Sequence, residues 1–338
     1  MTFRPTRSMA ALLAAAALPA VLATTAAPAT ASVGMSVATS ESGRPSTYTL
    51  TGDAGGSKFE GIGVDPRRGT FYVSEVTGGE IHRGVAGSAA TEQWLAGDGT
   101  DGRRTARGIT TDDAGRVYVV GGPNGIDAAT GLDNGRPDVW VYSPEGQLLA
   151  ALRLPGDNGF ANDVAIGPDG AAYVTNSNAP QVFRVAREGG AWQAELWSDA
   201  SGIIEQRQGF NLGGIVLTAD RSAVVVAQGT TGQLWRFATA DGSVTPVATG
   251  GADLTNADGL VREGSRLLVV RNFSRMLATL RLAADGRSAT LLTQEATDPS
   301  RVLTTAKVLR GRVLFVDSKF DETVAAPPYE IVTDPFAG

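Results

Sequence analysis

Beyond residue 45 the chain reads as short apolar runs, each four or five residues long, separated by Gly, Asp, Asn and Pro. Thr70-Phe71-Tyr72-Val73-Ser74, Val117-Tyr118-Val119-Val120 and Ala172-Tyr173-Val174-Thr175 are three of them, and Ala223-Val224-Val225-Val226, Leu267-Leu268-Val269-Val270 and Val313-Leu314-Phe315-Val316 are three more. Runs of this length, rich in β-branched and aromatic residues and bounded by turn formers, predict β-strands. No long segment in this region carries the 3.6-residue period of an amphipathic helix, so an all-β fold is expected.

The strands belong to a recurring phrase. It opens with one residue, mostly polar, then has a small residue and an aliphatic one, a turn, and an apolar strand. Copies begin at Glu60-Gly61-Ile62, Arg107-Gly108-Ile109, Asn162-Asp163-Val164, Gly213-Gly214-Ile215, Asp258-Gly259-Leu260 and Thr305-Ala306-Lys307, at spacings of 47, 55, 51, 45 and 47 residues. Turns such as Pro168-Asp169-Gly170 and third strands such as Gln181-Val182-Phe183-Arg184-Val185 recur with it. A four-stranded propeller blade takes about 40 to 50 residues. Six copies therefore predict a six-bladed β-propeller over 46–338, whereas a sandwich would not repeat one phrase six times. Ser46 to Thr51 has strand character but precedes the first phrase. It is expected to pair with the C-terminal strands and close the ring, which reduces exposed sheet edge.

The first 31 residues have a different character. Arg4 and Arg7 precede an alanine-rich apolar stretch, and Ala29-Thr30-Ala31 precedes Ser32. That order predicts a secretory signal peptide over 1–31, cleaved after Ala31, and a secreted protein. The apolar run is interrupted by Pro19 and is shorter than the roughly 20 residues a membrane span requires. Residues 32–45, mostly Ser, Thr, Gly and Ala, read as a flexible leader. Losing Arg4 and Arg7 with no acid moves the formal charge from −6 to −8. An acidic chain without Lys/Arg runs argues against nucleic acid or an anionic membrane as partner, so a monomer acting on a small molecule is expected.

There is no cysteine, and His82 is the only histidine. Thiolate metal sites, cysteine nucleophiles and multi-histidine centres are excluded, and a Ser-His-Asp triad, which would have to use His82, is not expected. The chain is long enough to bury a core without disulfides.

Rotational symmetry puts the residue that opens each phrase at one height around the central channel. That column is Glu60, Arg107, Asn162, Gly213, Asp258 and Thr305. A column chosen for packing would be small and aliphatic. Glu60, Asn162 and Asp258 instead suit a hard divalent cation, calcium above all, which takes six to eight oxygens and leaves positions for water or substrate. The same three residues equally suit a solvated charged wall with no ion.

At these residues the chain resembles the family of senescence marker protein, gluconolactonase and regucalcin. The resemblance spans roughly 46–332 and is carried by Phe59-Glu60-Gly61-Ile62, Asn162-Asp163-Val164-Ala165-Ile166-Gly167-Pro168-Asp169-Gly170 and Asn256-Ala257-Asp258-Gly259-Leu260. It looks closer still to a secreted actinobacterial branch, through Phe210-Asn211-Leu212-Gly213-Gly214-Ile215 and Leu254-Thr255-Asn256-Ala257-Asp258-Gly259-Leu260. The resemblance implies six blades, one divalent metal at the channel mouth and lactonase activity. Diisopropyl fluorophosphatase is a more distant relative with a similar metal arrangement. Carried over, Glu60 is an acidic metal ligand, Asn162 lies at the metal and substrate, and Asp258 binds metal and acts as general base or acid. Two positions depart from the pattern. Gly213 replaces a metal-binding asparagine, for which Asn211, on the same strand face, could partly substitute. Arg107 brings a cation into the column, where it could bind substrate or pair with Glu60 or Asp258. Asp163 is expected to orient a neighbouring ligand.

Asn176, Gln228, Asn272 and Asp317 each follow the second strand of a blade, where turn chemistry explains them as well as function does. His82 is expected to be structural, and Trp140, Trp192, Trp197 and Trp235 are expected to pack between blades. The insertion 121–137 could be a lid over the channel mouth or a loose surface loop. The function expected is a secreted, metal-dependent hydrolase of a lactone or ester. A non-catalytic binding or scaffold propeller is the alternative, followed by a non-hydrolytic enzyme of the strictosidine synthase type.

Overall fold

The computed structural model describes residues 44–157 and 159–336. The signal peptide over 1–31 lies outside the described residues, as does the leader over 32–45 except for Arg44 and Pro45. Among the described residues no helix is long and apolar enough to cross a membrane.

Six four-stranded antiparallel sheets make up the described chain. Blade 1 begins with the inner strand Phe59–Asp65, blade 2 with Ile109–Thr111 and blade 3 with Ala161–Ile166. Blades 4, 5 and 6 begin with Leu212–Leu217, Ala257–Glu263 and Leu303–Leu309. Each inner strand touches the inner strands of its two neighbours, and the last touches the first, so the predicted six-bladed β-propeller is what the chain forms. The predicted closure is also present. Thr47–Leu50 is the outermost strand of blade 6 and pairs antiparallel with Tyr329–Val332. The only helical element among the described residues is an irregular 3-10 turn at Thr100–Gly102, with Asp101 at positive φ.

Apolar side chains fill the seams between blades. One seam joins Tyr72 and Ile81 of blade 1 to Ile109, Val119 and Trp140 of blade 2. Another joins Tyr118 and Val141 to Val164 and Phe183, with Trp192 at its margin. Trp197 and Trp235 border the seam between blades 3 and 4. All four tryptophans named above therefore pack between blades, where a flat ring covers a large apolar area.

The small residue in each phrase has a steric cause. A Cβ at Gly61 would stand 2.1 Å from the Arg107 carbonyl oxygen, and one at Gly214 would stand 2.2 Å from the Asp258 carbonyl oxygen. At these two positions adjacent inner strands meet backbone to backbone, and glycine permits that approach without displacement. The residue before each glycine has a different surrounding. In five blades the pairing between first and second strands shifts register across the phrase, between Phe59 and Ile62, Ala161 and Val164, Leu212 and Ile215, Ala257 and Leu260, and Leu303 and Ala306. A bulge re-aims the side chains it carries. Repeated in five blades, it turns the residue that opens each of those phrases toward the axis.

Candidate functional site

Two spaces meet on the axis. A throat of about 10 Å³, room for one water, runs between the inner strands and is lined by Gly61, Gly108, Asp163, Gly214, Gly259 and Thr305. Above it opens a cavity of about 510 Å³. Glu60, Asn162 and Asp258 line both spaces and so form the floor where one becomes the other. Three bulges in three blades bring together residues far apart in sequence.

The electrostatics of the floor follow from confinement. Burial raises the Glu60 carboxyl, the Arg107 guanidinium beside it pulls it back, and Asp163 adds a further push upward. Asp258 is raised well above the ordinary aspartate range, first by burial and then by the charge of Glu60, while a hydrogen bond from Asn272 opposes the shift. Asn272 Nδ2 donates to Asp258 Oδ2 at 2.8 Å. The other oxygen, Oδ1, lies 3.8 Å from where a Cβ at Gly213 would stand, and Asn162 Oδ1 lies 3.7 Å from that same point. The two side-chain oxygens thus flank an open gap over Gly213. An acid in these surroundings holds its proton closer to neutral pH than a free aspartate does.

Arg107 adopts one of the two roles open to it in the sequence and leaves room for the other. Its Nη1 forms an ion pair with Glu60 Oε2. The guanidinium also lies over the Phe160 ring, 4.7 Å from its centroid, and 6.0 Å from that of Phe210. Its Nε is buried without a hydrogen-bond partner. A planar cation held between rings and one carboxylate still offers donors to a carbonyl or an anion.

Two expected roles need correction. Asn211 does not stand in for the oxygen missing at Gly213. Its Oδ1 accepts from Arg207 N, Gln228 Nε2 and Thr230 Oγ1, and its Nδ2 donates to the Arg207 and Gly209 carbonyls. It lines the cavity, but as the brace of the 205–211 loop, and its lone pairs are used. Asp163 orients backbone, not a ligand side chain. Its Oδ1 accepts from Val164 N at 2.8 Å and its Oδ2 from Ile215 N at 3.2 Å, tying the inner strands of blades 3 and 4. Burial raises its carboxyl, and Lys307 and those two N–H donors counter the rise.

Of these four residues, Asn176, Gln228 and Asp317 end their second strands and serve loops, whereas Asn272, one residue past its strand, reaches the site. Asn176 Oδ1 accepts from Phe160 N, Gln228 donates to the Glu205 carbonyl and to Asn211, and Asp317 pairs with Arg301 and Lys319. The 121–137 insertion is an internally bonded loop. Asn124 donates to the Gly102 and Pro137 carbonyls, and the loop lines no part of the cavity. His82 is buried in blade 1, away from the cavity, with Nε2 3.3 Å from Glu75 Oε2.

The cavity wall went unanticipated. Phe210 and Phe273, 57 % and 51 % exposed, stand at the rim with Phe320, Val76 and Lys58. Two exposed phenylalanines over a polar floor give the cavity a wall of mostly apolar surface with a few placed polar groups, the composition common in small-molecule pockets. The sequence signal was there: Phe210 opens Phe210-Asn211-Leu212-Gly213-Gly214, and Phe273 follows Asn272.

The residues fit a hard divalent cation to a limited degree. Glu60, Asp163 and Asp258 face Arg107 and Lys307 at the hub, with Lys58 at the cavity wall. Glu60, Asn162 and Asp258 would supply side-chain oxygens, with Glu60 shared with Arg107.

No protein-family model matches the chain, and no curated protein matches it in sequence. Solved structures do match it in shape. The major allergen Mala s 1 of Malassezia sympodialis aligns at TM-score 0.64 and 16% identity, over 85% of this chain and 95% of its own. A gluconolactonase from Xanthomonas campestris aligns at 0.56 and 16% identity, over 83% and 87%. Virginiamycin B lyase from Staphylococcus aureus aligns at 0.55 and 14% identity, over 80% of each chain. At such identities the likeness is one of fold.

Proposed function

We propose that this chain is an exported hydrolase of lactones or esters, gluconolactonase-like, which works at the mouth of its central channel. One observation carries the reading. Glu60, Asn162 and Asp258, from blades 1, 3 and 5, converge on the floor of a 510 Å³ cavity, and there Asp258 is raised well above the usual aspartate range. An acid tuned toward neutral pH at the bottom of a substrate-sized mouth is placed for proton transfer. The fold likeness to a gluconolactonase supports the same class.

Asp258 is the general base or acid. Asn272 holds its Oδ2, which leaves Oδ1 turned to the gap over Gly213, where a water or an ester oxygen would exchange a proton. Arg107, steadied by Phe160 and Glu60, binds the substrate carbonyl or a neighbouring anionic group. The phenylalanine rim excludes water from the apolar part of the substrate. Glu60, Asn162 and Asp258 would hold a divalent cation, calcium by its preference for oxygen, and when bound such an ion polarises a carbonyl and makes bound water more acidic. In this reading residues 1–31 are removed on export.

A second reading, a propeller that binds without turnover, draws support from the Glu60–Arg107 ion pair and from Gly213, which together narrow the oxygen set. A lactone and ester panel separates the two. Under the hydrolase reading turnover is lost with chelator and in Asp258→Asn. Turnover that persists in both Glu60→Gln and Asp258→Asn moves the chemistry elsewhere. No turnover, with ligand retention that depends on Arg107, selects the binding propeller.

A further inference from the structure

We infer a second cation site, away from the channel, in which Asp53, Glu75 and Glu80 of blade 1 hold a calcium-type divalent ion. One oxygen from each of the three lies within 4.8 Å of the others. Calcium–oxygen distances are about 2.3–2.6 Å, so two oxygens on one ion stand at most about 5 Å apart. The three oxygens therefore already have the spacing of a shared coordination sphere. Asp53 sits in the connection that enters blade 1 from the ring-closing strand. Glu75 ends the second strand of the blade, and Glu80 lies just before the third.

Glu80 supplies an independent reason to expect a ligand. Its side chain is buried, 5 % exposed, and its Oε2 has no hydrogen-bond partner. The carboxyl is packed against the backbones of Gly78 and Gly97, where an added Cβ would lie 2.4 Å from Oε2 and 2.3 Å from Oε1. Its charged neighbours are Glu75, Asp53 and Asp98, all acidic. The nearby Arg103 is directed elsewhere, to the Gly79 and Ala96 carbonyls and to Tyr142. The Glu80 backbone N–H is the one donor to this carboxyl, and a buried carboxylate oxygen left with none, among other carboxylates, is strongly disfavoured unless a cation or a proton joins it. Glu75 is held in place from behind, since Thr77 Oγ1 donates to its Oε1 at 2.8 Å and His82 Nε2 lies 3.3 Å from its Oε2. Asp53 is exposed, so the ion has an entry path and room for water ligands.

The site has a mechanical consequence. Ser57, four residues beyond Asp53, donates its backbone N–H to Tyr329 Oη in the strand that pairs with the ring-closing strand. An ion on Asp53, Glu75 and Glu80 pins that connection to blade 1 and so braces the ring closure.

Calcium titration of the chelator-stripped full chain, followed by calorimetry and thermal unfolding, tests the site. Wild type, Glu80→Gln, Asp53→Asn and the hub double variant Glu60→Gln/Asp258→Asn are compared. The hub variant is expected to keep a calcium-dependent rise in Tm. Glu80→Gln is expected to lose one binding equivalent, or at least on the order of tenfold in affinity, as removal of a charged ligand implies. Asp53→Asn, altered at an exposed position, should do the same without affecting folding. The site is disproved if Glu80→Gln and Asp53→Asn both bind calcium as the hub variant's parent does. It is equally disproved if the hub variant shows no response to calcium, magnesium or manganese. Loss of response in the hub variant alone bears on the channel floor as well, whereas loss in Glu80→Gln alone does not.

Discussion

Gly213 is the position where the channel floor lacks an oxygen, and Gly213→Asn should restore it. Space permits the change. A Cβ built there meets nothing nearer than Asn162 Oδ1 at 3.7 Å and the backbone and Oδ1 oxygens of Asp258 at 3.8 Å, which is ordinary van der Waals contact. Gly213 lies inside the inner strand Leu212–Leu217 and is not among the positive-φ glycines, so a side chain brings no backbone strain. An asparagine oxygen reaches about 2.4 Å beyond its Cβ, from ordinary bond lengths. That reach puts it between Asn162 and Asp258, at a separation from each that two calcium ligands can adopt. One further neutral oxygen on an incomplete coordination sphere should raise calcium affinity roughly tenfold, equivalent to about 1.4 kcal/mol. Isothermal titration of the chelator-stripped variant measures it, with Glu80→Gln as background to remove the second site. Unchanged or weaker calcium binding in a folded Gly213→Asn protein would refute a cation on this floor and favour the guanidinium of Arg107 as the cation the floor was built for.

Three further outcomes are expected. In chelator, Asp258→Asn should be more stable than wild type at neutral pH. The wild-type carboxyl is raised in the folded state, so its stabilising protonated form is fully present below the ordinary aspartate range and is lost as pH rises through the folded value; urea unfolding at pH 4 and pH 8 checks the sign, and a variant weaker than wild type at pH 8 contradicts it. Asn272→Leu removes the donor to Asp258 Oδ2 and should move the acidic limb of the turnover profile to higher pH, while a profile that stays put would show that Asn272 does not tune the acid. Gly61→Ala forces a Cβ to 2.1 Å from the Arg107 carbonyl oxygen, so it should cost about 1–3 kcal/mol or more, read as a lower urea midpoint, whereas Gly55→Ala, with nothing within 4 Å, should stay within about 0.5 kcal/mol.

The repeat was legible because a propeller applies one local solution six times. The phrase Glu60-Gly61-Ile62 and its echoes encode a hub contact and a core residue, and in five of the six blades a bulge, and each is a short-range property of the chain. The ring-closing strand could be read for the same reason, as a strand left over when the blades are counted. What the residue string alone could not reveal is where each polar group spends its hydrogen bonds. Asn211 and Asn272 are both asparagines at strand ends near the channel, one just before an inner strand and the other just after a second strand. One is consumed by Arg207, Gln228 and Thr230, and the other is aimed at Asp258.

The chain by itself determined the six-bladed ring and the set of residues that meet on its axis, because period and bulge are local and symmetry does the rest. Tertiary structure alone decided that Arg107 grips Glu60, that Asp163 ties backbone, and that Glu80 of blade 1 lies buried among acids. Those outcomes depend on distances between residues from separate loops and blades, and on how much water the assembled ring leaves around each charge.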